Sequence, residues 1–182
     1  MPFVIAALVL VGTLCVLNLL LSVGVIKRLR EHTELLSKPG HGKVMPSLGV
    51  GEEVGEFLTS TVDGGTLSRE SLADDTVVGF FSPNCGPCRE QLPRFVEYSG
   101  ALPGGRGRVV AVVLSHDADE ANALVADLAP VASVVVETSS GPLSKAFKIK
   151  AYPTVLRVAA RGGRLVVTDE AVDLGQTATA VA

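Results

Sequence analysis

Aromatic residues are scarce in this chain: they make up 4% of its 182 residues, with two tyrosines, six phenylalanines and no tryptophan. So few rings leave little with which to stack nucleic-acid bases. An excess of positive charge is missing too, since 16 lysines and arginines stand against 19 aspartates and glutamates, a net charge of -3. Without a basic field there is nothing to hold a phosphate backbone, which argues against nucleic acid as a partner. Cysteine is limited to three residues, too few for a scaffold stapled by disulfides. Two of them, Cys85 and Cys88, form one Cys-x-x-Cys unit, which points to redox or metal chemistry rather than structural bridging. The length suits one folded domain with an appended segment.

Charge is absent altogether from Phe3 to Ile26, where only Thr13, Asn18 and Ser22 interrupt an apolar and glycine run. At about 1.5 Å of rise per residue the run reaches roughly 36 Å as a helix, enough to cross a hydrocarbon core of about 30 Å. Residues 1–27 are therefore expected to be a single transmembrane anchor, with residues 3–26 in the lipid bilayer. A cleaved signal peptide fits less well, because there is no basic n-region, the run is too long and no small-x-small site closes it. Cys15 lies mid-helix after Gly12-Thr13-Leu14, which does not resemble a lipobox, and reads as an inert buried thiol. Lys27, Arg28 and Arg30 follow the run, and by the positive-inside rule they would place the rest of the chain in the cytoplasm.

Residues 28–50 read as a short juxtamembrane helix and a flexible linker broken by Lys38-Pro-Gly-His-Gly-Lys43, with His32 and His41 as solvated linker side chains. Residues 51–182 then form the domain, whose packed part is expected to begin near Val54. Phe57 to Val62 and Thr66 to Leu67 flank Asp63-Gly64-Gly65 as a hairpin, and Ser68 caps a short helical turn. Val77 to Phe81 is a continuous apolar run, as for a buried central strand. Ser82-Pro-Asn-Cys-Gly-Pro-Cys88 comes next, followed by a helical stretch from Arg89 to Leu102 whose internal Pro93 should kink it. A strand at Val109 to Leu114, a helix at about Asp119 to Leu128 capped by Asp117 or Asp119, and a strand at Val131 to Val136 repeat the alternation. A helix from about Pro142 to Phe147, an edge hairpin of Val155 to Ala159 with Arg164 to Val167, and a short terminal helix complete it. Such alternation implies an α/β fold with a mainly parallel sheet.

No second Cys-x-x-Cys and no paired histidines exist to complete four zinc ligands, so no metal or other cofactor is expected. Cys85 would instead lie at a helix N-terminus, where free amides and the macrodipole favour a thiolate and make it the attacking nucleophile. Cys88, one turn further on, would be the shielded resolving thiol. Gly86 and Pro87 keep the loop tight, and proline is tolerated where the first helical turn needs no donor.

Cys85-Gly-Pro-Cys88 after a buried strand, with Tyr152-Pro153-Thr154 before the last hairpin, resembles the thioredoxin superfamily. The resemblance implies a cis Pro153 facing the cysteines, and a substrate groove formed by Gly86, Pro87, Tyr152, Pro153 and Thr154 in which an extended peptide pairs with the Tyr152 backbone. The extra strand-helix unit, the Asp63-Gly64 hairpin and the anchor are similar to the membrane-tethered TlpA and ResA group. Ser82-Pro83 and Leu29-Arg-Glu-His32 resemble the MauD accessory proteins of methylamine dehydrogenase maturation. The superfamily's buried aspartate is replaced by Gly79, the glutamate common in the TlpA group by Gln91, and the tryptophan before the first cysteine by Asn84.

The resemblance implies an extracytoplasmic domain on a single-pass anchor, against the direction in which Lys27, Arg28 and Arg30 point. It further implies an enzyme that reduces or isomerises disulfides in client proteins, supplied with electrons by a membrane protein. The alternative is a maturation partner dedicated to one client, with little general turnover; a metal carrier using His116 is a third.

Overall fold

The computed structural model describes residues 3–5, 12–18 and 47–175. The chain divides into two units, Met1–Val44 and Met45–Ala182. In the first, residues 3–5 and 12–18 are helical, and Cys15 is exposed and unpaired with another cysteine. Among the described residues no helix is long and apolar enough to cross a membrane. The remainder of the expected anchor, residues 28–46 of the expected linker, His32, His41 and the tail beyond Gly175 lie outside the described residues.

The second unit opens with β1 (Leu58–Ser60) and β2 (Thr66–Ser68), an antiparallel hairpin turning at Asp63-Gly64-Gly65, where Gly64 has φ +84°. That left-handed backbone is cheap only for glycine. Thr61 and Arg106 both donate hydrogen bonds to the Asp63 carboxylate, holding it below the usual carboxylate range. Ser68 caps the short turn Arg69–Ser71, and β3 (Thr76–Phe81) follows, buried along its whole length. Helix α1 (Gly86–Ala101) leads to β4 (Val109–Leu114), α2 (Ala118–Leu128), β5 (Ser133–Glu137), α3 (Pro142–Ala146), β6 (Thr154–Arg161) and β7 (Arg164–Asp169). The N-cap of α2 is Asp117, whose carboxylate accepts the Asp119 amide at 2.8 Å.

The five-stranded sheet has the order β5-β4-β3-β6-β7. Only β3 with β4 and β4 with β5 are parallel; β6 runs antiparallel to both β3 and β7. The sheet is thus evenly mixed, where the alternation predicts a mainly parallel one. The reason is the last crossover: α3 is only five residues long, and the chain turns at residues 151–153 to enter β6 against the central strand.

Alternation along β3 sends Val78 and Phe80 into one core and Val77 and Phe81 into the other. On the first face Phe80 meets Phe147 with ring centroids 5.4 Å apart. On the second, Phe81 meets Phe95 of α1 edge-on at 4.9 Å. Helix α1 buries Cys88, Leu92, Phe95, Tyr98 and Ser99, a stripe at helical spacing that lays it across β3. It runs unbroken through Pro93, which is exposed. Leu48 is fully buried and its amide donates to the Phe147 carbonyl, so packing starts ahead of Val54. An isolated leucine among glycines carries no periodicity by which to foresee this.

Glu137, at the end of β5, is buried and accepts from the Leu143 amide at 3.1 Å, the Ser144 amide at 2.7 Å and the Ser144 hydroxyl at 2.7 Å. It thereby satisfies orphan donors at the start of α3. Glu137→Ala strands those amides, and an expected loss of about 1–3 kcal/mol would appear as a lower denaturant midpoint, whereas an unchanged midpoint would show that water replaces the carboxylate.

Candidate active site

The site stands where β3 ends and α1 begins. Helix α1 starts at Gly86, three residues ahead of the expected Arg89, because Cys85 is itself its N-cap and Pro87 occupies the first turn. Cys85 and Cys88 are joined as a disulfide with Cα atoms 5.2 Å apart. The Cys88 amide donates to Cys85 Sγ at 3.2 Å, so a free donor of the first turn already points at this sulfur. The Cys85 amide in turn donates to the Ser82 carbonyl at 3.3 Å, closing the loop between strand and helix. Cys85 is half-buried and Cys88 is 1% exposed. The two sulfurs therefore differ in access: an incoming sulfur meets Cys85 first.

The Tyr152–Pro153 peptide is cis, and the Tyr152 carbonyl oxygen lies 3.7 Å from Cys85 Sγ. Two segments far apart in sequence thus meet at one sulfur. Thr154 begins β6 opposite Phe80 of β3, and its hydroxyl donates to the Ala151 carbonyl at 2.8 Å, fixing the turn. Tyr152 and Pro153 are half-buried, Thr154 is buried, and Gly86 and Pro87 are exposed beside the cysteines. All seven residues expected at the site are gathered around the end of β3.

Asn84 has a role that sequence reasoning missed. Its side-chain amide donates to Glu120 Oε2 at 2.9 Å, tying the cysteine loop to the first turn of α2. The partners stand 36 residues apart, and only the packing of α2 against the sheet brings them together. Gly79 lies two residues before Phe81 on the strand face beneath α1. A Cβ there would sit 2.7 Å from the Phe81 ring and 2.8 Å from the Phe95 ring, so no side chain, acidic or otherwise, fits at this position. His116 is exposed, and among the described residues no three potential ligands cluster to hold a metal ion.

The chain has a thioredoxin-like fold in which Cys85 caps the first helix after the central strand and Cys88 lies in its first turn. Over 101 residues the chain is 28% identical to sporulation thiol-disulfide oxidoreductase A of Bacillus subtilis, the match covering 54% of this chain and 61% of that protein. Its fold is shared by the thioredoxin domain of a thiol-disulfide oxidoreductase from Bacteroides vulgatus, at TM-score 0.54 and 15% identity, with 70% of this chain and 93% of that one covered. A thioredoxin-family thiol:disulfide interchange protein from Chlorobium tepidum superimposes at TM-score 0.53 and 23% identity, covering 69% of this chain and 90% of that one. No protein-family model matches the chain.

Proposed function

We propose that the protein is a membrane-anchored thiol-disulfide oxidoreductase that reduces or isomerises disulfides in client proteins. The observation that carries this is the half-buried Cys85 sulfur, which receives the Cys88 amide, lies 3.7 Å from the Tyr152 carbonyl and is bonded to a fully shielded partner. A helix N-terminus stabilises a thiolate at such a position. With the pair reduced, Cys85 attacks one sulfur of a client disulfide and expels the other as a thiolate. Cys88 then attacks Cys85, restoring the internal disulfide and releasing the client as a dithiol; two electrons have moved from protein to client. Gly86, Pro87, Tyr152, Pro153 and Thr154 form the wall against which an extended client segment lies, with the Tyr152 backbone available for strand-like pairing.

The similarity to the Bacillus subtilis oxidoreductase supports this reading. The chain spans about three fifths of that relative's length. The uncharged run of residues 3–26 supports an anchor, and a domain outside the cytoplasm would need a membrane protein to return electrons to the pair. A reporter active only outside the cytoplasm, fused to the C-terminus, is expected to be active. An inactive fusion would place the domain on the inner face, as Lys27, Arg28 and Arg30 direct.

A further inference from the structure

A small cavity of about 240 Å³, which neither cysteine lines directly, is walled by Gln91 of α1, residues 153–155 where β6 begins, and residues 170–172 after β7. Gln91 is one helical turn beyond Cys88, and Pro153 follows the carbonyl that touches Cys85. Cys88 packs in the same apolar cluster as Val155 and Val172, both of which line the cavity. At roughly 30 Å³ per molecule there is room for several waters. Among the lining residues Glu170 alone ionises, and among the described residues no hydrogen bond or ion pair engages its carboxylate.

The shielding of Cys88 raises a chemical need. A thiol in apolar surroundings resists ionisation, yet only its thiolate can attack Cys85. Gly79 admits no acid from β3, and Gln91 cannot accept the proton as a carboxylate would. Other charged groups on the packed elements are placed elsewhere. Glu120 of α2 holds Asn84, Arg157 of β6 bonds Asp75 and Tyr98, and Glu90, Arg94, Asp169 and Asp173 do not line the cavity.

We propose that Glu170 is the proton acceptor for Cys88, reached through water in this cavity; the inference rests on the disulfide-exchange reading above. In the mixed disulfide the Cys88 proton passes through water to the Glu170 carboxylate. The thiolate electron pair forms the bond to Cys85 Sγ, the bond from Cys85 to the client sulfur breaks, and the client sulfur leaves with that pair and takes a proton from solvent. The cysteine pair is oxidised by two electrons and the client is reduced by two.

The test uses the reduced full-length protein carrying Cys15→Ser, in detergent, and a nitrobenzoate disulfide whose released thiolate is coloured. One thiolate is released when Cys85 attacks, and a second when Cys88 resolves the adduct, in a phase independent of reagent concentration. With Glu170→Gln the second phase is expected to slow by about tenfold or more near neutral pH, while the first is unchanged. The deficit should narrow as pH rises past the ordinary thiol range, above about pH 9, where hydroxide can take the proton instead, and Glu170→Asp should recover most of the rate. Glu90→Gln, on the helix that carries Cys88 but outside the cavity, should follow the wild-type profile. Superimposable second phases for wild type and Glu170→Gln would overturn the proposal, as would equal slowing of both phases at every pH. A wild-type protein that shows no second phase at all would instead defeat the exchange reading on which it rests.

Discussion

Cys85→Ser is expected to bring the reduction of insulin disulfides down to the uncatalysed background, whereas a surface change such as Glu97→Gln leaves the rate intact. The substitution removes the one sulfur of the pair that an incoming disulfide can reach, since Cys88 is 1% exposed beneath it. Serine in its place keeps the helix cap, because a hydroxyl accepts an amide as readily as sulfur does, so folding should survive and the loss is chemical. Cys88→Ser should behave differently. Cys85 still attacks, but nothing resolves the adduct, and a mixed disulfide with client protein accumulates on a non-reducing gel. Equal turnover by wild type and Cys85→Ser would remove the oxidoreductase reading. Negligible wild-type turnover on insulin, together with a stable Cys88→Ser adduct to one protein, would favour the dedicated maturation partner.

Gly79→Ala is the second large effect, and it falls on stability. The added carbon would lie 2.7–2.9 Å from ring carbons of Phe81 and Phe95, two side chains fully buried and packed edge-on. Neither ring can give way without lifting α1 from the sheet, so the expected cost is about 3 kcal/mol, at the upper end for overpacked cores. That is a large share of the roughly 5–15 kcal/mol that holds an ordinary domain together. Gly79→Asp should be worse, since it adds a carboxyl in apolar surroundings to the same clash. Urea or guanidinium midpoints decide the matter. A midpoint unchanged in Gly79→Ala would mean that the two rings move freely, contrary to the packing described. Reduced and oxidised forms should both show the loss, because the clash does not involve the cysteines.

Much of this architecture can be read along the chain. From Val77 to Leu114 the order of elements is legible, although α1 starts three residues early, because the signals are local: two largely apolar strands, a tight cysteine loop after the first, and a helix whose buried residues recur at helical spacing. The hairpin at Asp63-Gly64-Gly65 and the Asp117 cap are likewise written in neighbouring residues. What escaped depends on distant partners. Val131 belongs to the apolar run that reads as the start of β5, yet its amide donates to the Leu128 carbonyl and closes α2, so the strand begins at Ser133. Glu137 looks like a charge at a strand end until α3 folds back onto it. Leu48, the Asn84 to Glu120 bond and the placement of Glu170 beside the cavity have no periodic or spacing signature at all. The gathering of Tyr152 with the cysteines was legible only through family resemblance, since no pattern in either segment specifies the other.

The central claim is that Cys85 and Cys88 interconvert reversibly between disulfide and dithiol. The most direct measurement is equilibration of the protein in thiol-disulfide buffers of graded potential, followed by alkylation and intact mass. The account predicts a single two-electron transition, about 30 mV per tenfold change in the oxidised-to-reduced ratio, in which the species gaining two alkyl groups replaces the disulfide form directly and Cys15 contributes a constant increment. A pair that stays in one state across the whole range, or that takes up label one cysteine at a time, would contradict it.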